Sequence, residues 1–113
     1  MMARLTSAML VSALVRRADQ QGGSAMVLAK GDATAGGILL IGYERAANPR
    51  FLERGIGPDG VPALVPSGPA ALADELAVSD YWERRRARDP DLWVVELDIA
   101  AVERFAAETM NLC

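Results

Sequence analysis

Four consecutive apolar residues, Ile38-Leu39-Leu40-Ile41, sit inside the strand-like run Gly37 to Glu44 (GILLIGYE). No other feature constrains the chain as much. A strand turns successive side chains to opposite faces, so this one is apolar on both. Either helices cover both sides of the sheet that holds it, or a second subunit does.

The flanking segments supply the rest of a sheet. Ser24 to Lys30 reads as a strand, and the turn-rich connector Gly31-Asp32-Ala33-Thr34-Ala35-Gly36 predicts an antiparallel hairpin into the GILLIGYE strand. Arg50 to Arg54 and Val61 to Val65 are weaker strands on either side of Gly55-Ile56-Gly57-Pro58-Asp59-Gly60, which predicts a second hairpin. Pro62 and Pro66 lack an N–H and confine the later strand to a sheet edge. Leu92 to Asp98 is the most convincing strand, with Trp93, Val95 and Leu97 on one face.

Three helices are expected. From Ser7 to Gln21 the residues Ser12, Arg16, Asp19 and Gln20 form a narrow polar stripe on an otherwise apolar helix, which implies packing on more than one side. Thr6 or Ser7 caps its start and Gly22-Gly23 ends it. Ser67-Gly68-Pro69 opens a second helix that runs to about Arg88, with Pro69 at its first position. Leu72 and Leu76 share no stripe with Val78, Tyr81 and Trp82, so a break near Ser79 is expected, and Pro90 stops the helix. Ala100 to Met110 forms the last helix, with Val102, Phe105 and Ala106 inward. The reading is a single α+β domain over 1–113. It is a two-layer sandwich with a mainly antiparallel sheet of three to five strands and helices packed on it.

Composition bounds function mostly by exclusion. The chain has no histidine and one cysteine, Cys113, which removes the Ser-His-Asp triad, the Cys-His dyad and most transition-metal sites. One thiol makes no internal disulfide, so a reducing cytoplasm is the expected setting. The net charge of −3, from 15 acidic and 12 basic residues, argues against nucleic acid as a partner. The apolar stretch from Leu5 to Val15 is shorter than the about 20 residues that span a bilayer. Arg16-Arg17 follows it where a signal peptide would carry its cleavage site, so it reads as a folded helix and no membrane role is expected.

The chemistry-bearing residues fall into a few groups. Gly55-x-Gly57-x-x-Gly60 matches a dinucleotide fingerprint by letter, but Pro58 and Val61-Pro62 leave no helix to receive a pyrophosphate, so no cofactor is expected. Lys30-Gly31-Asp32 with Gly36-Gly37 could cradle an anion. It serves better as a connector whose Asp32 bonds nearby backbone. Arg84-Arg85-Arg86 with Arg88 complements a helix C-terminus, or clamps a phosphate or carboxylate with Arg16 or Arg17. Asp89 and Asp91 could hold a proton or a cation. The preferred role is to fix the turn after the helix and pair with those arginines. No catalytic residue and no metal ligand is assigned.

Three segments together carry a family resemblance: Ala13-Leu14-Val15-Arg16-Arg17-Ala18; Ala29-Lys30-Gly31-Asp32-Ala33 with Ala35-Gly36-Gly37; and Asp89-Pro90-Asp91-Leu92-Trp93-Val94-Val95-Glu96. In these the chain resembles the small bacterial proteins grouped as domain of unknown function 1491, over about Ala8 to Asp98. The Asp-Pro-Asp-Leu-Trp run is the most specific part. The stretch from Val65 to Ser79 is longer than the family pattern. The resemblance implies a compact cytoplasmic bacterial protein and brings no activity or catalytic residue.

Two functions follow from the residues. The first is a non-catalytic interaction or regulatory module acting through a protein partner or a homodimer surface, which the over-apolar first helix and two-sided strand favour. The second is a small anion-binding protein or enzyme built on Arg16, Arg17, Lys30, Arg84 and Arg85 with the carboxylates Asp32, Asp89 and Asp91. Convergence of these side chains in one cleft would mark the second.

Overall fold

The computed structural model describes residues 5–69, 72 and 74–112. Cys113 and residues 70, 71 and 73 lie outside the described residues. The expected opening of the second helix at Ser67-Gly68-Pro69 is not found, because Ser67 pairs in the sheet as the end of the fourth strand and Gly68 and Pro69 are not helical. Helix α1 is Ser7–Gln20, followed by β1 Ser24–Ala29, β2 Ile38–Glu44, β3 Ala47–Ile56 and β4 Pro62–Ser67. Then come α2 Glu75–Arg88, β5 Trp93–Asp98 and α3 Val102–Thr109. The class is α+β, with one five-stranded sheet of order β1-β5-β2-β3-β4. Three of its four strand pairings are antiparallel; β2–β5 is parallel.

That order corrects one expectation. β1 and β2 form no hairpin, because β5 lies between them, antiparallel to β1 and parallel to β2. The reason is burial. Val94 and Val95 point to opposite faces and both are fully buried, so β5 belongs in the interior of the sheet rather than at its edge. The connector after β1 instead runs beneath the start of α1. There the Ser7 and Ala8 N–H groups donate to the Thr34 and Ala33 carbonyls at 3.2 and 2.9 Å, and Asp32 accepts from the Thr34 and Ala35 N–H groups. The β3–β4 hairpin forms as expected around Gly57–Val61, and β4, with its two prolines, is an edge strand.

Helices cover both faces of the sheet, the first of the two arrangements that β2 allows. Leu40, Leu52, Trp93, Val95 and Leu97 pack against Val11, Leu14 and Ala18 of α1 and Val102, Phe105 and Ala106 of α3. Leu39, Ile41, Phe51, Leu92 and Val94 face the other way, toward Val78, Tyr81 and Trp82 of α2. The α1–α3 layer on the sheet holds the larger core, and α2 adds a smaller one behind it. Thr6 caps α1 by accepting from the Met9 N–H. The helix buries Val11, Leu14 and Ala18, with Ala8, Leu10 and Val15 partly buried against the same core, while Met9 is more than half exposed. Helix α2 has no break at Ser79. It starts at Glu75, where the Asp74 carboxylate accepts the Ala77 N–H at 2.9 Å, a stronger start signal than a mid-helix serine. Among the described residues, no helix is long and apolar enough to cross a membrane.

Candidate binding site

Tyr81 and Arg85 lie four residues apart on α2 and therefore share a face. That face looks onto β3 and β4. Arg85 grips Glu53 with both ends of its guanidinium, Nη1 to Oε2 at 2.7 Å and Nη2 to Oε1 at 2.9 Å. Nη1 also donates to the Tyr81 hydroxyl at 2.9 Å and to Ser67 at 3.3 Å, and the Ser67 hydroxyl donates to Glu53. The Tyr81 ring packs against Phe51 at 4.4 Å between centroids. Hydrogen bonding from Arg85 holds the Glu53 carboxyl below the ordinary carboxylate range. Burial opposes this and Ser67 reinforces it. Glu53 in turn raises the pKa of Arg85.

Beside this network runs a groove of about 520 Å³, lined by Gly68, Pro69, Leu72 and the α2 residues Ala77, Asp80, Tyr81, Arg84, Arg85 and Arg88. Arg85 is committed to Glu53, but Arg84 and Arg88 are exposed and make no ion pair among the described residues. The groove therefore joins an apolar floor to two guanidinium groups without ion pairs among the described residues, with the exposed Asp80 beside them and its carbonyl accepting from Arg84 Nε at 3.4 Å.

Two further clefts differ in character. One of about 630 Å³ lies between Gly22-Gly23 and the β2–β3 turn, with Glu44 and Asp98 in its lining. Its two carboxylates are already in use. Asp98 accepts the N–H groups of Arg45 and Ala46, both in the left-handed region, while Glu44 accepts from the Ala101 N–H and from Arg50. Arg50 also binds Glu103 at 2.7 and 2.8 Å, tying the hairpin to α3. The other cleft, about 190 Å³, lies between α2, β2 and β5 and is lined by Tyr43, Glu75, Ser79, Trp82 and Glu96 over Leu28, Ile41 and Val78. Burial, and then the charges of Glu96, Glu75 and Asp98, push the Tyr43 hydroxyl pKa up.

The residues singled out in the sequence do not gather in one place. Arg16 is exposed on the outer side of α1. Arg17 donates to Thr109 at 2.5 Å and lies over the Phe105 ring, joining α1 to α3. The Lys30 side chain is exposed, and its carbonyl accepts from Arg86 at 2.6 Å. Asp32 binds its own loop, and Asp89 accepts the Asp91 N–H, which fixes the turn after α2. Neither Asp89 nor Asp91 pairs with the preceding arginines among the described residues. Only Arg84 and Arg85 enter the groove, joined there by Arg88. Glu53, Ser67 and Tyr81 were not anticipated. Their signal was a polar residue after Phe51-Leu52 on a strand and the Tyr81-x-x-x-Arg85 spacing. Among the described residues, no three acidic, cysteine or histidine side chains cluster to hold a metal ion.

A mixed five-stranded sheet with α1 and α3 on one face and α2 on the other defines a small α+β class of protein. The chain belongs to the family described as "Protein of unknown function (DUF1491)", whose pattern matches residues 5–107. It is similar to the crystal structure of a DUF1491 family protein from Caulobacter crescentus CB15, with 32% identity and a TM-score of 0.75 over 89% of this chain and 94% of that one. An NMR structure of a DUF1491 family protein from the same organism gives 31% identity and a TM-score of 0.74, over 92% of this chain and 94% of that one. The solution structure of a protein from A. tumefaciens gives 28% and 0.70, over 97% and 95%. No curated protein matches. The family has no assigned function.

Proposed function

We propose that this protein is a non-catalytic interaction module whose α2 groove docks an acidic, partly apolar segment of a protein partner. The observation that carries the reading is the pairing of an apolar groove floor with Arg84 and Arg88, two guanidinium groups without counter-ions among the described residues. Arginine forks favour carboxylates, and apolar surface beside them selects a ligand with hydrophobic side chains between its charges. The scatter of the other basic residues argues against an enzyme built on them. The relatives from Caulobacter crescentus and A. tumefaciens support a bacterial setting, and a single cysteine suits a reducing cytoplasm.

The test is an amide-correlation NMR titration with the peptide acetyl-Glu-Leu-Glu-Leu-Glu-amide, and in parallel with citrate. Gly68, Ala77, Arg84 and Arg88 are expected to shift with the peptide. The double variant Arg84→Ser/Arg88→Ser is expected to weaken binding on the order of tenfold, since each exposed pair contributes roughly 0.2–1 kcal/mol. Equal binding of wild type and double variant sinks the proposal. Citrate moving the same amides as strongly as the peptide would replace the protein partner with a small anion.

A homodimer is a second reading, and the two sheet edges favour it. β4 is blunted by Pro62 and Pro66, whereas β1 carries neither proline nor charge and exposes Met26. With one open edge, pairing between copies closes at two. Light scattering should then give twice the 12.1 kDa chain mass, and Met26→Lys should return it to one. A wild-type monomer at high concentration removes this reading.

A further inference from the structure

The small cleft on the opposite side of α2 is built unlike the arginine groove. Tyr43 of β2 and Trp82 of α2 are half-buried aromatic residues in its lining, Leu28, Ile41 and Val78 are apolar, and Glu96 of β5 and Glu75 of α2 bring two carboxylates. Four polar groups there have no hydrogen-bond or ion-pair partner among the described residues: the Tyr43 hydroxyl, the Trp82 indole N–H and the two carboxylates. Elsewhere the half-buried acids are engaged: Glu53 by Arg85, Glu44 by Arg50, and Asp98 by two backbone N–H groups. Glu75 has an ordinary role as the acid in the first turn of α2. Glu96 has no such role: it stands on a central strand, half-buried and without a cation.

Aromatic faces and carboxylates around an apolar floor attract one class of ligand. A cation gains from the negative face of the rings and from the two charges, and its alkyl stem lies on the floor. At about 190 Å³ the cleft is smaller than a drug-sized site and suits a single side-chain-sized group. We propose that the Tyr43–Trp82–Glu96 cleft binds an alkylammonium group, with Glu96 as counter-ion and Trp82 as the aromatic wall. The ligand is a free amine or the lysine side chain of another protein. The site is separate from the arginine groove, and neither proposal depends on the other.

The experiment titrates n-butylammonium chloride into labelled full-length protein and follows the Trp82 indole and the Tyr43 and Glu96 amides, with n-pentanol as the neutral match. The peptide Gly-Gly-Lys-Gly-Gly is titrated in parallel. Saturable shifts at these three residues with butylammonium, at least tenfold weaker in Glu96→Gln and in Trp82→Leu, support the site. Spectra of both variants report whether each still folds, and Glu96→Gln preserves shape if Trp82→Leu does not. Tenfold tighter binding of the lysine peptide than of butylammonium identifies a protein lysine as the source, and equal or weaker binding identifies a free amine. The proposal is overturned if pentanol binds as well as butylammonium, if Glu96→Gln binds unchanged, or if the pocket resonances stay still.

Discussion

Gly31→Ala is expected to destabilise the protein by about 3 kcal/mol and to lower its melting temperature by roughly 10–15 °C. A Cβ at Gly31 would lie 2.0 Å from the Asp91 carbonyl oxygen, and one at Gly36 2.1 Å from the same atom. That oxygen accepts the Asp32 N–H at 3.0 Å, while the Trp93 indole N–H donates to the Asp32 carbonyl at 2.7 Å. The obstacle is backbone rather than a flexible side chain, so relief requires the connector to withdraw and these bonds to break. Gly36→Ala should behave alike. Gly37→Ala is the control, because its Cβ would meet only the tip of Leu92 at 3.4 Å, a contact that a methyl group can share. Thermal melts of the three variants decide the matter. If Gly31→Ala melts with Gly37→Ala, the connector is not held against the Asp91 carbonyl.

The Arg85–Glu53 pair should give the second large effect. Removing Arg85 leaves a carboxylate that is only 25% exposed with a serine as its remaining partner, so Arg85→Met is expected to cost about 2 kcal/mol. Glu53→Gln should cost a similar amount, and the double variant less than the sum, because each single change strands the other partner. The pair also predicts an acid limb. The folded-state pKa of Glu53 is depressed, so its contribution is fully present above the unfolded carboxyl value of about 4.3 and is lost as pH falls through the lower folded value. Urea unfolding from about pH 7 to about pH 3 should show stability falling below roughly pH 4.3, with a shallower fall in Arg85→Met. An identical acid limb in both proteins would mean that the pair contributes nothing to it.

The Gly31 clamp also explains why the most recognisable parts of the sequence name a family but no activity. Lys30-Gly31-Asp32 with Gly36-Gly37, and Asp89-Pro90-Asp91-Leu92-Trp93, are far apart in the chain. In the fold they are two halves of one junction, with the Asp91 carbonyl lodged between Gly31 and Gly36. The distinctive letters are those that a close backbone approach and a buried indole require. They are scaffold, and of the side chains proposed for binding only Glu96, at the end of the third segment, belongs to the stretches that carry the resemblance.

Much of the architecture was legible from local pattern. A continuous apolar run gave β2, the alternation of Trp93, Val95 and Leu97 gave β5, a turn cluster gave the β3–β4 hairpin, the prolines placed β4 at an edge, and a 3.6-residue spacing turned Val102, Phe105 and Ala106 of α3 inward. These features depend on neighbours along the chain. Strand order does not. That β5 separates β1 from β2 follows from which strand must be buried on both faces once α1, α2 and α3 compete for the sheet, a comparison across the whole molecule. The sites divide the same way. The arginine run announced positive charge on α2, but only the packing of α2 on β3 and β4 committed Arg85 to Glu53 and left Arg84 and Arg88 without ion pairs among the described residues. The sequence by itself determined what each segment would bury and where the charges lie along the chain. Tertiary structure alone decided which charges neutralise each other, because ion pairing between side chains 32 residues apart depends on distance in space, and that is set by the core.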